Sequence, residues 1–207
     1  MDRPAPWHRP DPIPLPLPTP AGVVDVYREG DATALHAAID EGRAALAAWL
    51  PWAATAHGDP EASRRWIRDV ARQQGYAHPE GFHLGLFDDA TPRRVLGGVG
   101  FVRIDAAQGE AEVGYWLTSA ARGAGLCTQA VGRLITSAFR DWGFRRVVVG
   151  MAGPNTPSRR VAERLGLRLE RTERRARWHH AHGWCDHVGF AVLAEEWDAT
   201  TDRGPAI

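Results

Sequence analysis

The sequence predicts a mixed α/β domain with a largely antiparallel sheet and one parallel crossover. Two observations support this. Residues 82–87, 95–104 and 111–117 have strand-like apolar patterns and are joined by short polar connections that suit hairpins. A helical pattern over residues 126–142 then separates the third strand from the valine-rich segment 146–151, as expected of a strand–helix–strand crossover. The glycine-rich turn before that helix lies at the C-terminal end of a strand, where open α/β sheets bind ligands.

The elements before residue 82 are a short strand and several helices. Residues 23–27 form an apolar strand, after which Asp31 is expected to cap a helix. A second helix is predicted over residues 43–50, because Pro51 cannot easily continue it. A third helix is predicted to begin with Pro60 in its first turn.

After the crossover, one more helix and two strands complete the domain. Thr156 is predicted to cap a helix that ends before Gly166. Residues 167–177 and 187–193 form the last strands. The central sheet therefore has about seven strands flanked by helices.

Composition divides the chain into an arm, a domain and a tail. Residues 1–20 are rich in proline and are predicted to be an extended arm lying along the domain, although an SH3-type ligand is the alternative. Residues 21–198 form the single domain, and residues 199–207 form a C-terminal tail.

Charge and composition exclude several classes of function. The formal net charge is zero, so no global field attracts nucleic acid or a membrane surface. All basic residues are arginine, which excludes a lysine nucleophile. Arg171 and Arg174 alternate with acidic residues, as on a solvated strand. The chain has neither a signal-peptide pattern nor a membrane-length apolar run, and Cys127 and Cys185 do not form a disulfide framework, so we expect a cytoplasmic protein.

The turn at residues 122–125 is the strongest local motif. Gly123 and Gly125 lie between a strand and a helix that begins near Leu126, so backbone N–H groups can converge there. The positive end of the helix dipole favours an anion such as a pyrophosphate. A nucleotide P-loop is excluded because it requires lysine, and a dinucleotide fingerprint because it requires a third glycine.

Three blocks, residues 112–117, 122–130 and 155–167, together resemble the GNAT superfamily of N-acetyltransferases, and in particular its RimJ/RimL-type branch. The segments around Trp49–Trp52 and His182–His187 resemble the same branch. The resemblance extends from Val23 to Trp197 and implies the GNAT fold, with acetyl-CoA as co-substrate and a homodimer.

The resemblance also implies a set of cofactor-binding residues. The pyrophosphate would lie on the glycine turn, and the pantetheine arm would pair with the strand before it. A backbone N–H of this strand would stabilise the oxyanion. The implied residues are Trp116, Leu117, Thr118, Arg122, Gly123, Ala124, Gly125, Leu126, Cys127, Asn155, Ser158 and Arg159.

Two residues are candidates for proton transfer. Glu112 lies in an otherwise apolar strand, where burial would raise the pKa of its carboxyl, and it could accept the ammonium proton directly or through water. The alternative is a structural pairing with an arginine or with backbone. The resemblance places Ser158 near the sulfur as general acid; the alternative is a helix-start hydrogen bond. The three tyrosines of the chain do not match the family position at which a tyrosine often performs this step.

The sequence offers little support for covalent or metal chemistry. Cys127 begins a helix, but no His/Asn partners indicate an acyl-enzyme, so direct transfer in a ternary complex is predicted. His179, His180, His182, Cys185 and His187 resemble a metal cluster, but strand alternation is expected to place His182 and His179 on opposite faces, so no metal is predicted.

The predicted activity is acetylation of a primary amine, either a protein N-terminus or a small molecule. Trp49, Trp52, His182 and Trp184 are the candidate substrate-binding residues. For Trp49 and Trp52, core or lid packing is an equal alternative. A non-catalytic CoA-binding or structural module that keeps the fold is the alternative from a different class.

Overall fold

The computed structural model describes residues 15–71, 81–179 and 181–197. Within these ranges the chain forms one eight-stranded sheet with helices on both faces. The first fourteen residues of the predicted arm and the predicted C-terminal tail lie outside the described residues. The end of the arm contributes a strand that the sequence analysis did not predict.

The sheet has the strand order β1-β2-β3-β4-β5-β6-β8-β7, and every neighbouring pair is antiparallel except β5–β6. The parallel pair is the predicted crossover. The strands are β1 (Leu17–Thr19), β2 (Gly22–Asp25), β3 (Phe82–Phe87), β4 (Val95–Asp105), β5 (Glu110–Leu117), β6 (Arg146–Ala152), β7 (Arg168–His179) and β8 (Gly183–Leu193).

The helices are α1 (Ala32–Ala47), α2 (Pro60–Trp66), α3 (Leu126–Arg140) and α4 (Thr156–Arg164). The prediction of two separate helices within residues 31–50 was wrong, because α1 is continuous through Gly42. Gly42 is buried in α1, and a Cβ there would make only ordinary contacts, the nearest with Ser119 Oγ at 3.6 Å. Its helical cost relative to alanine, about 1 kcal/mol, is small beside the burial of the helix face.

Two helix caps also differ from the predictions. Asp31 occupies the N-cap of α1, but its side chain does not cap the helix. It accepts hydrogen bonds from the Arg93 guanidinium and from the backbone N–H of Arg28. The N-cap of α4 is Asn155 and not Thr156, because the Asn155 side chain accepts the Ser158 N–H at 3.2 Å.

The core lies on both faces of the sheet. On one face, α3 buries Val131, Leu134 and Ile135 against the sheet residues Phe101 and Val147. The other face carries a separate cluster formed by α1, Ile67 and the start of β4. Both faces of the central strands are therefore covered, and a ligand can reach them only where the strands or helices separate.

Candidate functional site

The two parallel strands at the centre of the sheet separate part-way along their length. β5 and β6 are paired up to Glu112 and Val148. Beyond that point, residues 113–117 of β5 pair with β4, and residues 149–152 of β6 pair with β8. The facing strand edges therefore leave backbone N–H and C=O groups available to an extended ligand that lies between them.

The glycine turn follows at the end of β5. Gly123 and Gly125 have φ values of +87° and +73°, which a residue with a Cβ adopts only with strain. Gly125 is the N-cap of α3 and provides no side-chain cap. The N–H groups of the first turn of α3 are therefore free to bind an anion.

A cavity of about 450 Å³, which we call the turn cavity, lies between this turn, β5 and the start of α4. Most of the predicted cofactor-binding residues line it: Trp116, Leu117, Arg122, Gly123, Gly125, Leu126, Cys127, Asn155 and Ser158. Arg160 and Arg164, which the sequence analysis did not single out, also line it. Both project from α4 and would add positive charge beside a phosphate.

Three of the predicted cofactor-binding residues lie outside the lining of the turn cavity. Thr118 is buried, and its N–H donates to the Leu96 carbonyl at 2.9 Å. Ala124 forms part of the turn without lining the cavity. The Arg159 guanidinium lies 3.7 Å from Glu163, so it is directed along the helix.

Ser158 is held in a defined position on the wall of the turn cavity. Its N–H is capped by Asn155, and its Oγ lies 2.8 Å from the Tyr115 hydroxyl. The Tyr115 hydroxyl also donates to the Ser158 carbonyl at 3.2 Å. Sequence reasoning did not select Tyr115, because it lies on β5, 43 residues away along the chain. Only the packing of α4 against β5 brings the two hydroxyls together.

The ionisable groups next to Ser158 are kept protonated. Burial raises the pKa of the Tyr115 phenol, and the nearby Cys127 thiol raises it further. Burial also raises the pKa of the Cys127 thiol to about 12. A thiol with this pKa is a poor nucleophile at neutral pH.

Glu112 differs from its prediction, because it is not buried in an apolar strand. Its side chain is 21% exposed and lies 3.3 Å from Arg103, the structural alternative named above. Glu110 on the same strand also binds Arg103, at 2.7 Å. Glu112 lines neither the turn cavity nor the aromatic cavity described next. It lies two residues before Gly114, which lines the aromatic cavity.

A second cavity of about 310 Å³, which we call the aromatic cavity, lies between β4, β5 and the helices α1 and α2. It shares Leu50, Tyr115 and Trp116 with the turn cavity, so the two cavities meet at the end of β5. Among the described residues, seven side chains with rings line the aromatic cavity: Tyr27, Trp52, His57, Trp66, His83, Tyr115 and Trp116.

The rings form a continuous wall through edge-to-face and tilted contacts. Trp66 contacts His57 at 5.1 Å, Tyr27 at 5.5 Å and His83 at 5.8 Å between ring centroids. Trp52 continues the wall to Trp116 at 6.2 Å. Such contacts favour particular ring orientations, because aromatic pairs stabilise the protein beyond the effect of burying their surface.

His57 has an unusual backbone that other residues hold in place. Its φ is +57°, which is rare for a residue with a side chain. Its carbonyl accepts a hydrogen bond from Arg43 at 2.9 Å, and its Nδ1 lies 3.1 Å from Ser63 Oγ. Burial, and then the charge of Arg43, lower the pKa of His57 to about 4. Burial also lowers the pKa of His83, so both histidines are neutral at pH 7.

None of the described residues of the β7–β8 hairpin lines either cavity, and the hairpin reaches the site through contacts with Trp49, which follows α1. Trp49 lines the turn cavity and contacts the rings of His179 at 4.6 Å and His182 at 6.2 Å. Trp184 is 61% exposed and lines neither cavity. The prediction that His179 and His182 lie on opposite faces was wrong. Their rings are 4.6 Å apart because the hairpin turn separates them and strand alternation does not extend through a turn.

The remaining sequence-based expectations concern disulfides, metals and membranes. Cys127 and Cys185 are both free. Within the described ranges, no group of three or more His, Cys, Asp or Glu residues could hold a metal ion. In the same part of the chain, no helix has the length and apolar character needed to cross a membrane.

The fold and the site together define a class of enzyme. A mixed sheet whose central parallel strands separate beside an anion-binding turn suits a long cofactor that ends in phosphates. Residues 24–168 match the family model described as "Acetyltransferase (GNAT) domain". The chain therefore belongs to the GNAT acetyltransferase family, as predicted, and is an acetyl-CoA-dependent N-acetyltransferase.

Individual relatives place the chain in the RimJ/RimL-type branch. It is 31% identical over 172 residues to the "Putative ribosomal N-acetyltransferase YdaF" of Bacillus subtilis (strain 168), covering 81% of this chain and 88% of that protein. The RimL ribosomal L7/L12 alpha-N-protein acetyltransferase, solved in complex with coenzyme A, has a TM-score of 0.77 at 22% identity, covering 86% of this chain and 98% of RimL.

A third relative is similar in fold. The ribosomal-protein-S5-alanine acetyltransferase from Vibrio fischeri has a TM-score of 0.77 at 21% identity, covering 89% of this chain and all of that one. At this identity the similarity shows the fold. The predicted GNAT fold is confirmed, and its sheet has eight strands where about seven were predicted.

Proposed function

We propose that the enzyme transfers the acetyl group of acetyl-CoA directly to a primary amine in a ternary complex. The meeting of the two cavities at Tyr115 and Trp116 carries this proposal. A cofactor in the turn cavity and an amine in the aromatic cavity would approach each other at that junction. Direct transfer needs such a shared point, because the two reacting atoms must come within about 3–3.5 Å.

The cofactor would be held mainly by backbone. The pantetheine arm would lie between β5 and β6, and the pyrophosphate would accept N–H donors from the turn at Gly123–Gly125. Arg122 on the turn, together with Arg160 and Arg164 on α4, would add charge. The Thr118 N–H is already bonded to Leu96, so the oxyanion donor would come from a residue of β5 that faces the gap.

The transfer would remove two protons from the nitrogen and deliver one proton to the sulfur. The neutral amine attacks the thioester carbon, a C–N bond forms and the C–S bond breaks. The leaving thiolate takes a proton from the Ser158 hydroxyl, which lies 2.8 Å from the Tyr115 hydroxyl, and the second proton of the nitrogen, released as the amide forms, restores Ser158. Because its pKa is raised, the Tyr115 phenol stays protonated throughout and acts as a hydrogen-bond partner that positions the Ser158 hydroxyl. We assign removal of the ammonium proton to Glu112, acting through water, because it lies on β5 two residues before Gly114 of the aromatic cavity.

The acceptor could be a protein N-terminus, as the name of RimL gives for that enzyme, or a small amine. The names of YdaF and the S5 enzyme refer to ribosomal acceptors of those proteins. A cytoplasmic homodimer stays a prediction. The alternative, a CoA-binding module without turnover, shares the turn cavity but requires neither the Tyr115–Ser158 pair nor a second cavity.

Thiol release separates the two functions. The protein is incubated with acetyl-CoA and a panel of amines and N-terminal peptides, while free CoA is followed by a thiol reagent and products by mass. We expect release that depends on the amine and a product heavier by one acetyl group. Binding of CoA with no release across the panel would support the non-catalytic module.

A further inference from the structure

We propose that the preferred acceptor carries an aromatic or bulky aliphatic group next to its amine, and that this group fills the aromatic cavity. This inference rests on the proposed function and names its substrate class. The same chemistry occurs in a peptide that begins with an aromatic residue and in a small aromatic amine.

The lining of the aromatic cavity is mostly apolar, and its described residues include no acidic or basic side chain other than two histidines. Apart from the rings, the cavity is bounded by aliphatic side chains such as Leu35, Ile39 and Val99. None of its described lining residues is Asp, Glu, Lys or Arg. A charged acceptor side chain would lose its hydration there without gaining a partner, which is costly.

The two histidines do not supply the missing charge. The pKa of His57 is about 4 and that of His83 is lowered by burial, so both rings are uncharged at the pH of the reaction. Neutral rings in an aromatic wall bind another ring by edge-to-face or offset contacts. An acidic acceptor would therefore find no counter-charge in this cavity.

The size of the cavity suits one large side chain. Its volume of about 310 Å³ is at the lower end of the range for ligand pockets, which is about 300–1,000 Å³. Glycine at position 98 makes room for the indole of Trp116. A Cβ at Gly98 would overlap Trp116, and one at Gly114 would overlap Val102. The Trp116 ring can therefore lie against β4 and present its face to a ligand.

The position of the cavity fixes which atom of the acceptor reacts. Among the described residues, the two cavities share Leu50, Tyr115 and Trp116, which lie together at one end of the aromatic cavity. A ligand whose apolar group points towards Trp66 would present its amine at this junction. An acceptor with a small or polar group would reach the junction without filling the cavity, and would lose the free energy of burial.

The experiment compares acceptors that differ in one side chain. Tripeptides X-Ala-Ala with Phe, Leu, Ala, Ser, Glu or Arg first, together with phenylalanine amide, are assayed by thiol release with saturating acetyl-CoA. We expect kcat/KM for the Phe peptide to exceed that for the Ala peptide about 10- to 100-fold, from burial of one aromatic side chain. The Glu and Arg peptides should be poorest. Equal rates for the Phe tripeptide and phenylalanine amide would indicate that the enzyme recognises only the amine and the side chain beside it. A higher rate for the tripeptide would indicate that the natural acceptor is a peptide N-terminus.

Two variants test the location. Trp52 is 37% exposed at the mouth of the cavity, so Trp52→Ala is expected to fold and to reduce the Phe-over-Ala preference at least about fivefold. Trp178→Ala is the matched control, because Trp178 is 66% exposed on the hairpin, and the preference should not change. Acetyl-CoA affinity, measured for both variants, reports folding.

Each remaining outcome overturns a distinct statement. Turnover with no preference for Phe or Leu, or a preference that survives in Trp52→Ala, would overturn the aromatic acceptor and leave acetyl transfer in place. Absence of turnover with every acceptor would overturn the proposed function and this inference together.

Discussion

The turn cavity and the aromatic cavity share one strand end but bind their ligands by different means. The turn cavity is built around backbone, since Gly123 and Gly125 expose N–H groups and β5 leaves an unpaired edge. The aromatic cavity is built from side chains of α1, α2, β3, β4 and β5, together with Tyr27 and the segment that contains Trp52 and His57. Backbone N–H donors can bind the shared part of any acyl-CoA, whereas the aromatic side chains determine which acceptor group fits the cavity. Within one family, the second cavity can therefore change while the first is kept.

The largest expected effect is at the point where the cavities meet. Ser158→Ala should lower kcat about 100-fold, because the leaving thiolate loses its proton donor. The acetyl-CoA dissociation constant should stay within about twofold, because Ser158 is one of many groups on the wall. Steady-state rates and equilibrium binding measure the two quantities.

The control for Ser158 lies two residues earlier. Thr156 is exposed in the first turn of α4, and Thr156→Ala should change neither quantity. Tyr115→Phe should give a smaller loss of kcat than Ser158→Ala. An unchanged kcat in Ser158→Ala would remove this residue from the mechanism.

The next effect concerns the turn cavity alone. Gly125→Ala introduces a Cβ at φ +73°, next to the proposed pyrophosphate site, and should weaken acetyl-CoA binding about 10- to 100-fold. Gly143→Ala is the matched control, because Gly143 has a similar φ of +70° but lies just beyond the C-terminal end of α3, away from the turn. Equal loss of affinity in both variants would mean that general destabilisation, and not the anion site, is responsible.

A third effect concerns the aromatic cavity alone. The folded-state pKa of His57 is about 4, below its ordinary value of 6.5, so the folded protein disfavours the charged ring. The stability from this neutral ring is present above pH 6.5 and is lost as the pH falls towards 4. We expect the free energy of unfolding to fall on the order of 1–2 kcal/mol between pH 7 and pH 4.5.

His57→Asn tests the source of this pH dependence. Asparagine tolerates a positive φ and does not titrate, so the variant should show a flatter pH profile in denaturant titrations. An equally steep profile would assign the effect to His83 or to other groups. The carboxyls with lowered pKa, such as Glu110 and Glu170, lose their stabilisation mainly below their ordinary value of 4.5, so they contribute only at the acid end of this window.

The smallest effect is expected at Cys127. Its thiol pKa is about 12, so alkylation at pH 7.5 should be slow and bound CoA should slow it further. Cys127→Ala should keep kcat within about twofold. Trapping of an acetyl-cysteine by mass spectrometry would contradict direct transfer.

Local patterns were sufficient for most of the fold. Residues 82–87 were predicted with the bounds observed for β3, and the crossover through α3 was predicted in order. Errors came where a local signal competed with packing. Gly42 looks like a break in a helix, yet burial keeps α1 continuous. Thr156 is a good cap by type, but the Asn155 side chain reaches the Ser158 N–H first.

The sequence by itself determined the anion-binding turn, because two glycines and a helix start act through backbone that lies within a few residues. It also carried the family blocks around Glu112, Ser158 and the turn. Only the tertiary structure decided that Tyr115 reaches Ser158, that Glu112 pairs with Arg103, and that rings from distant segments form the aromatic cavity. The physical reason is the distance along the chain over which each interaction acts. A turn is fixed by the dihedral angles of neighbouring residues, whereas a side-chain cavity depends on contacts between segments that only the packed sheet and helices bring together.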